Sequence, residues 1–176
     1  HLFNTFLLSG ALARVPWCSG GAPAPRRDAT GPAMGSERGL LVASLVGMLL
    51  LGMTGAVTAL GDTLFPAASL AEGFAADFSA TAHWLVRLRV IHPTLAVFVA
   101  VLVLLAAGVT AARHAAARTR RLAIAVSALV LGQLVVGLVN LVLLAPIPMQ
   151  LLHLLTADLL WIALVLLAFS AAAPSD

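Results

Sequence analysis

His92 and His153 carry most of the chemistry available to this chain, because each stands near the start of an apolar run of about twenty residues, long enough to cross a bilayer. An imidazole at that depth is costly unless it is paired or coordinated. Two of them at matching depth on parallel helices reach one metal ion from opposite faces. Iron in a haem, held by two neutral imidazoles, is the simplest chemistry that fits. The competing reading is packing, in which each ring hydrogen-bonds to a neighbouring helix or to interfacial water. Zinc fits less well, since no cysteine and few carboxylates accompany the histidines.

Other polar residues fall around this pair. Arg87 and Arg89 precede His92 in the run HWLVRLRVIHP. An arginine fork suits a haem propionate; the alternative is snorkelling to lipid phosphate. Gln133 and Asn140 are seven residues apart and share a helix face. They read either as glue between helices or as support for a haem ligand or propionate. Gly132 and Gly137 are small residues that would leave room for a porphyrin. Asp158 lies on a different face from His153 and reads as a proton relay or as the partner of a polar group on another helix. His83 reads as a solvent-facing loop residue or as a group that contacts substrate or supports the site, Glu72 and Asp77 as solvated outer-loop residues, Asp62 as part of a helix-ending turn, and His114 as surface.

The elements that must position these residues are membrane helices. Of the 176 residues, 61% are hydrophobic and 10% charged, with a mean hydropathy of +1.06. That excludes an ordinary soluble domain and predicts an all-α integral membrane bundle. The apolar segments are long and continuous, which excludes a β-barrel. Five are expected: residues 1–17, 39–60, 90–112, 122–145 and 149–172. A linker rich in glycine, proline and arginine occupies 18–38, a longer loop follows GDTLFP, the run RHAAARTRR forms a short basic loop, PIP breaks the next helix, and 173–176 is a tail. There are ten arginines and no lysine. Arg14, Arg26, Arg27, Arg38, Arg113, Arg118, Arg120 and Arg121 fall on one face, expected to be cytoplasmic in a bacterial inner membrane. Their place in loops argues against nucleic-acid binding. His92 and His153 then both lie toward the outer leaflet, as does His1. The opening HLFNTFLLSGALA reads as helix interior rather than a signal peptide, which suggests a fragment. Cys18 has no partner for an internal disulfide.

Taken together, HLFNTFLLSGALA, AVTALGDTLFP, HWLVRLRVIHPTLAV and GQLVVGLVNLVLLAPIPMQLLHLLTADLLW resemble the haem A synthase family of cytochrome oxidase assembly, in the family's order and over nearly the whole chain. The resemblance implies the last five of eight transmembrane helices, with 39–172 as a four-helix C-terminal half that holds haem b between His92 and His153. His1 falls on a histidine of the substrate haem site in the N-terminal half. It also implies oxidation of a methyl group of haem O to a formyl group, giving haem A. Haem O synthase and a redox donor are then the expected partners, alongside membrane lipid; homo-oligomerisation stays open. The family's outer-loop glutamate lies outside this chain, so no catalytic residue is assigned, and the chain alone is expected to be inactive. The family's loop cysteines are also absent from residues 61–84. Two rivals remain: a bis-histidine membrane cytochrome that only transfers electrons, and a structural or transport bundle whose histidines merely pair.

Overall fold

The computed structural model describes residues 32–81 and 83–173. His1 and Cys18 lie outside the described residues, as does the expected first segment. The described chain is helical: α1 (Pro32–Leu64), α2 (Leu70–Asp77), α3 (Trp84–Arg87), a 3-10 turn (Leu88–Val90), α4 (Ile91–Arg113), α5 (Ala117–Val142) and α6 (Ile147–Ala172). Four spans, Ser36–Leu64, Trp84–Arg113, Ala117–Val142 and Ile147–Ala172, are long and apolar enough to cross a membrane. The chain is therefore a multi-pass, all-helical membrane protein.

The four long helices form an antiparallel ring in which α1 packs on α4, α4 on α5, α5 on α6, and α6 more lightly back on α1. Hence α4 and α6 stand on a diagonal and run the same way. Arg38, Arg113, Arg118, Arg120 and Arg121 all fall at one end of the ring, and Arg87 and Arg89 at the other. This is the distribution expected from the loops.

Burial along the four long helices is concentrated in the arginine-rich half. The core there holds Leu41 and Met48 of α1, Val99, Val103 and Ala106 of α4, Ala123, Val126 and Val130 of α5, and Leu160, Trp161, Leu164 and Leu167 of α6. Small residues let these helices approach, and a buried hydroxyl pair, Thr119 with Ser170 at 2.6 Å, ties α5 to α6. Toward the other end no residue within 51–60, 91–98, 131–142 or 147–159 is buried. The helices are closely packed at one end and loosely packed at the level of 51–60 and 147–159; beyond that level Gly61, Leu85 and Val86 are buried where α3 meets the end of α1.

The arginine-rich end is also latched. Glu37, only 5% exposed, sits 3.0 Å from His114 Nε2 and 3.7 Å from Arg113. His114, which the sequence placed on the surface, instead joins the end of α4 to the start of α1. A buried carboxylate needs such partners, and the short α4–α5 loop supplies them.

Two local devices set the opposite end. Pro93 has no N–H to reach residue 89, and its ring crowds that carbonyl; the backbone tightens to a 3-10 turn over Leu88–Val90 just there. Between α5 and α6, Leu144 and Ala145 take positive φ (59° and 53°) before Pro146 turns the chain extended. Ala145 N–H reaches back to the Asn140 carbonyl at 2.7 Å, and the Gln150 amide donates to the Ala145 carbonyl.

Because the closely packed half is the part that holds the ring together, Leu164→Ala, which hollows a fully buried position, should cost about 2–5 kcal/mol. Unfolding of the detergent-solubilised chain by heat or denaturant measures it.

Candidate functional site

The loosely packed level is where the histidines meet. His92 projects from the first turn of α4 and His153 from the second turn of α6. Their rings face across the diagonal with centroids 6.4 Å apart and planes inclined at 79°. Metal–imidazole bonds are about 2.0–2.1 Å long, so two rings on opposite sides of one metal ion have centroids roughly 6 Å apart. The observed spacing fits that arrangement. Among the described residues no group of three or more His, Cys, Asp or Glu gathers as a metal cluster, which leaves a two-histidine arrangement.

Each ring leans on a glycine of the preceding helix. A Cβ built on Gly55 of α1 would lie 3.0 Å from His92 Cε1, and one on Gly137 of α5 would lie 3.1 Å from His153 Cε1. Gly137 thus makes room for the imidazole, while Gly132 faces open space. Polar partners sit beside the glycines. Thr54 Oγ1 is 3.1 Å from His92 Nδ1. The Gln133 amide nitrogen is 3.2 and 3.3 Å from the two ring nitrogens of His153 and donates to the His153 carbonyl at 3.0 Å. Thr156 donates to the Gln133 carbonyl oxygen and so orients the amide. Gln133 thus joins α5 to α6 at His153, a contact common to both of its sequence readings.

One turn further out, Thr58 Oγ1 on α1 and Asn140 Oδ1 on α5 are buried atoms without a hydrogen-bond partner. Each follows a ring-cradling glycine by three residues, in GAVT (55–58) and GLVN (137–140). Asp158 Oδ1, deeper on α6, is likewise buried and unpartnered. Orphaned polar atoms of this kind are uncommon in folded proteins; Thr58 and Asn140 lie within a turn of the cradle glycines, and Thr110 Oγ1, near the other end of α4, is a further one.

Arg87 and Arg89 part company. Arg87 is exposed. Arg89 is clasped: its guanidinium donates to the Gly61 carbonyl at 2.7 Å and to the Phe65 carbonyl, and its Nε lies 2.9 Å from Asp62 Oδ1. The Asp62 contact is close in charge but poorly aligned for a hydrogen bond. Asp77 stands 3.8 Å away on the other side. Arg89 thus caps the exposed carbonyls at the end of α1 and pins α2, so it is committed to the scaffold rather than free to fork a propionate. Gly61 permits the close approach, since a Cβ there would meet the Leu85 carbonyl at 3.2 Å. Asp62 and Asp77, read from the sequence as turn and solvated residues, are the counter-charges. Burial pushes the Asp77 carboxyl above its ordinary range, more than the Arg89 charge pulls it down. His83 is engaged too: it caps α3 through Leu85 N–H and stacks on Phe65 at 4.9 Å.

Sequence reasoning missed Thr54, Gly55, Thr58 and Thr156. The signal was present in the repeated pattern of glycine, two apolar positions and a short polar side chain on α1 and α5, which only stands out once each glycine is seen beneath a ring.

The fold and site define a membrane four-helix bundle that offers two facing histidines from diagonal helices. The chain belongs to the COX15-CtaA family of cytochrome oxidase assembly proteins, which it matches over residues 1–165. It is 44% identical over 172 residues to the protoheme IX farnesyltransferases of two strains of Thermus thermophilus, covering 97% of this chain and 28% of theirs. The chain therefore spans less than a third of the length of these curated relatives. No solved structure matches it.

Replacing either cradle glycine by valine should displace its imidazole. Gly55→Val and Gly137→Val are each expected to disturb their own histidine and spare the other, read from the ring resonances of a 15N-histidine-labelled chain. Arg89→Ala leaves Asp62 and Asp77 without their cation. Amide hydrogen exchange should accelerate across residues 61–78, while residues 99–110 keep their protection.

Proposed function

We propose that this chain is the haem b-holding portion of a haem A synthase, a membrane oxidoreductase that converts a methyl group of haem O to the formyl group of haem A. The observation that carries the proposal is the facing pair, His92 and His153, at a spacing suited to one iron ion on diagonal helices. Three further features support it: the glycine cradles, the orphaned oxygens of Thr58 and Asn140 beside the rings, and the lack of buried side chains along the stretches of the long helices that surround them. Family membership places the chain in cytochrome oxidase assembly. The relatives are named for an activity on protohaem IX, which fits a haem-handling pathway; with only 28% of their length matched, their farnesyl transfer is not carried over to this chain.

A bis-imidazole haem supplies one-electron transfer. The residues of this chain contribute the setting. His92 and His153 would hold the iron from the two sides. Thr54 and the Gln133–Thr156 pair orient the rings, and Asn140 and Thr58 offer polar contacts at the outer edge. Among the described residues at this end, Arg87 is exposed and outside the Arg89 clasp, and it is the cation proposed to meet a propionate. The Arg89 clasp keeps the α4 histidine at its height in the bundle. The substrate haem O site includes His1 in this reading, and the family's outer-loop glutamate lies outside this chain. Haem O synthase and an electron-exchanging protein are the proposed partners, and a bacterial inner membrane is the proposed location, with the arginine-rich end in the cytoplasm.

The test is a reduced-minus-oxidised visible spectrum of the purified chain in detergent. A low-spin b-type signal is expected in the wild type and is lost in both His92→Ala and His153→Ala. A folded wild type without a haem signal would sink the proposal and return both histidines to helix packing.

A further inference from the structure

The contact between His92 and Thr54 contains more information than its length. A threonine hydroxyl has one proton to give. In this helix Thr54 Oγ1 gives it to the Leu51 carbonyl, 2.9 Å away, a common arrangement for a helical threonine. With that proton committed, Thr54 acts only as an acceptor at its 3.1 Å contact with His92 Nδ1. A neutral imidazole carries its proton on one nitrogen only. The Leu51 carbonyl that takes the Thr54 proton is itself a partner of the His92 ring, so Thr54 and Leu51 together offer the ring only acceptors; with the contact at Nδ1, the proton sits there and Nε2 keeps its lone pair.

We propose that Thr54 is a positioning residue that fixes His92 as the Nδ1–H tautomer and so selects Nε2 as its metal-binding atom. Gly55, the next residue, completes the device. Its missing side chain lets the ring seat against α1, with the Cβ position 3.0 Å from Cε1, 3.4 Å from Nδ1 and 3.6 Å from Nε2. The glycine seats the ring, and the Thr54 contact at Nδ1 is what distinguishes the two nitrogens. Metal-ligating histidines are held in this manner by a partner at the other ring nitrogen.

The arrangement is not repeated at His153. There the nearest partner is the amide nitrogen of Gln133, which only donates. His92 gives a hydrogen bond to its helix neighbour, whereas the Gln133 amide, nearly equidistant from the two ring nitrogens of His153, selects neither of them. The two imidazoles are therefore unequal donors to whatever they share. A hydrogen bond given from Nδ1 to an oxygen makes the opposite nitrogen a stronger donor, which favours the oxidised state of a bound haem iron. Removing the acceptor shifts the potential upward.

The metal-binding consequence rests on the haem reading above; the tautomer does not, and the experiment separates them. The chain is labelled with 15N-histidine, solubilised in detergent without haem, and compared as wild type, Thr54→Val and Thr54→Ser. Wild type and Thr54→Ser are expected to show His92 protonated at Nδ1 with a bare Nε2. Thr54→Val loses that preference, and the His153 signals stay in place. The same three proteins are then loaded with haem b and titrated potentiometrically, with Thr54→Val expected at a more positive potential than the other two. A wild-type His92 protonated at Nε2, an unchanged tautomer in Thr54→Val, or a potential that does not follow the tautomer overturns the proposal. A wild type with the expected tautomer that takes up no haem overturns the haem reading and leaves the tautomer assignment standing.

Discussion

Two imidazoles facing each other inside hydrocarbon impose the constraint from which the rest of the site follows. Each ring has an apolar face that packs and two nitrogens that must be met. The fold meets the first need with glycine, at positions 55 and 137, so that a ring lies directly against the neighbouring backbone. It meets the second with Thr54 on one side and Gln133, steadied by Thr156, on the other. None of these partners is charged, which suits a site in low dielectric where an unpaired charge would be far more costly than an amide or a hydroxyl.

The bundle separates holding from binding along its axis. Lipid chains are as apolar as leucine, so the helices gain little from the hydrophobic effect and associate through close packing and interhelical hydrogen bonds. Close packing is concentrated at the arginine-rich half, where Ala106, Ala107, Thr119, Ala123 and Ser170 are buried and Glu37 is latched by His114 and Arg113, whereas hydrogen bonds join the helices at both ends. With the helices fixed there, they can remain loosely packed around the histidines.

Much of this was legible in the sequence. Run length and composition gave the helices, arginine placement gave the end of the bundle at which the described loops lie, and the depth of His92 and His153 gave the pair. Gln133 and Gly137 were picked out by type and lie at the site, because an amide and a glycine at membrane depth have few other uses. Arg89 and His114 were misread for a common reason: their partners, Asp62 with Asp77 and Glu37, lie far away in the chain, and local sequence cannot show which of two neighbouring arginines a distant carboxylate will claim. Thr54 escaped notice because a helical threonine usually does no more than bond to its own backbone, and its second role exists only once α4 has brought a ring beside it.

The two hairpins that build the site, α1 with α4 and α5 with α6, solve the same alignment problem by different means. In each, a histidine near the start of the second helix must reach the height of a glycine near the end of the first. Between α5 and α6 the connection is short, and the backbone itself sets the height through the positive φ of Leu144 and Ala145 and the turn at Pro146. Between α1 and α4 the chain wanders through α2 and α3, and a connection of that length fixes nothing on its own. There the height is set by Arg89, three residues before His92, bound to carbonyls of Gly61 and Phe65 at the end of α1. A guanidinium with donors in a rigid fork can hold two carbonyls and a carboxylate at once, and a lysine could not hold them in that geometry. The clasp belongs on α4 because a one-turn slip of that helix would carry His92 about 5.4 Å from Gly55 and leave its imidazole facing hydrocarbon.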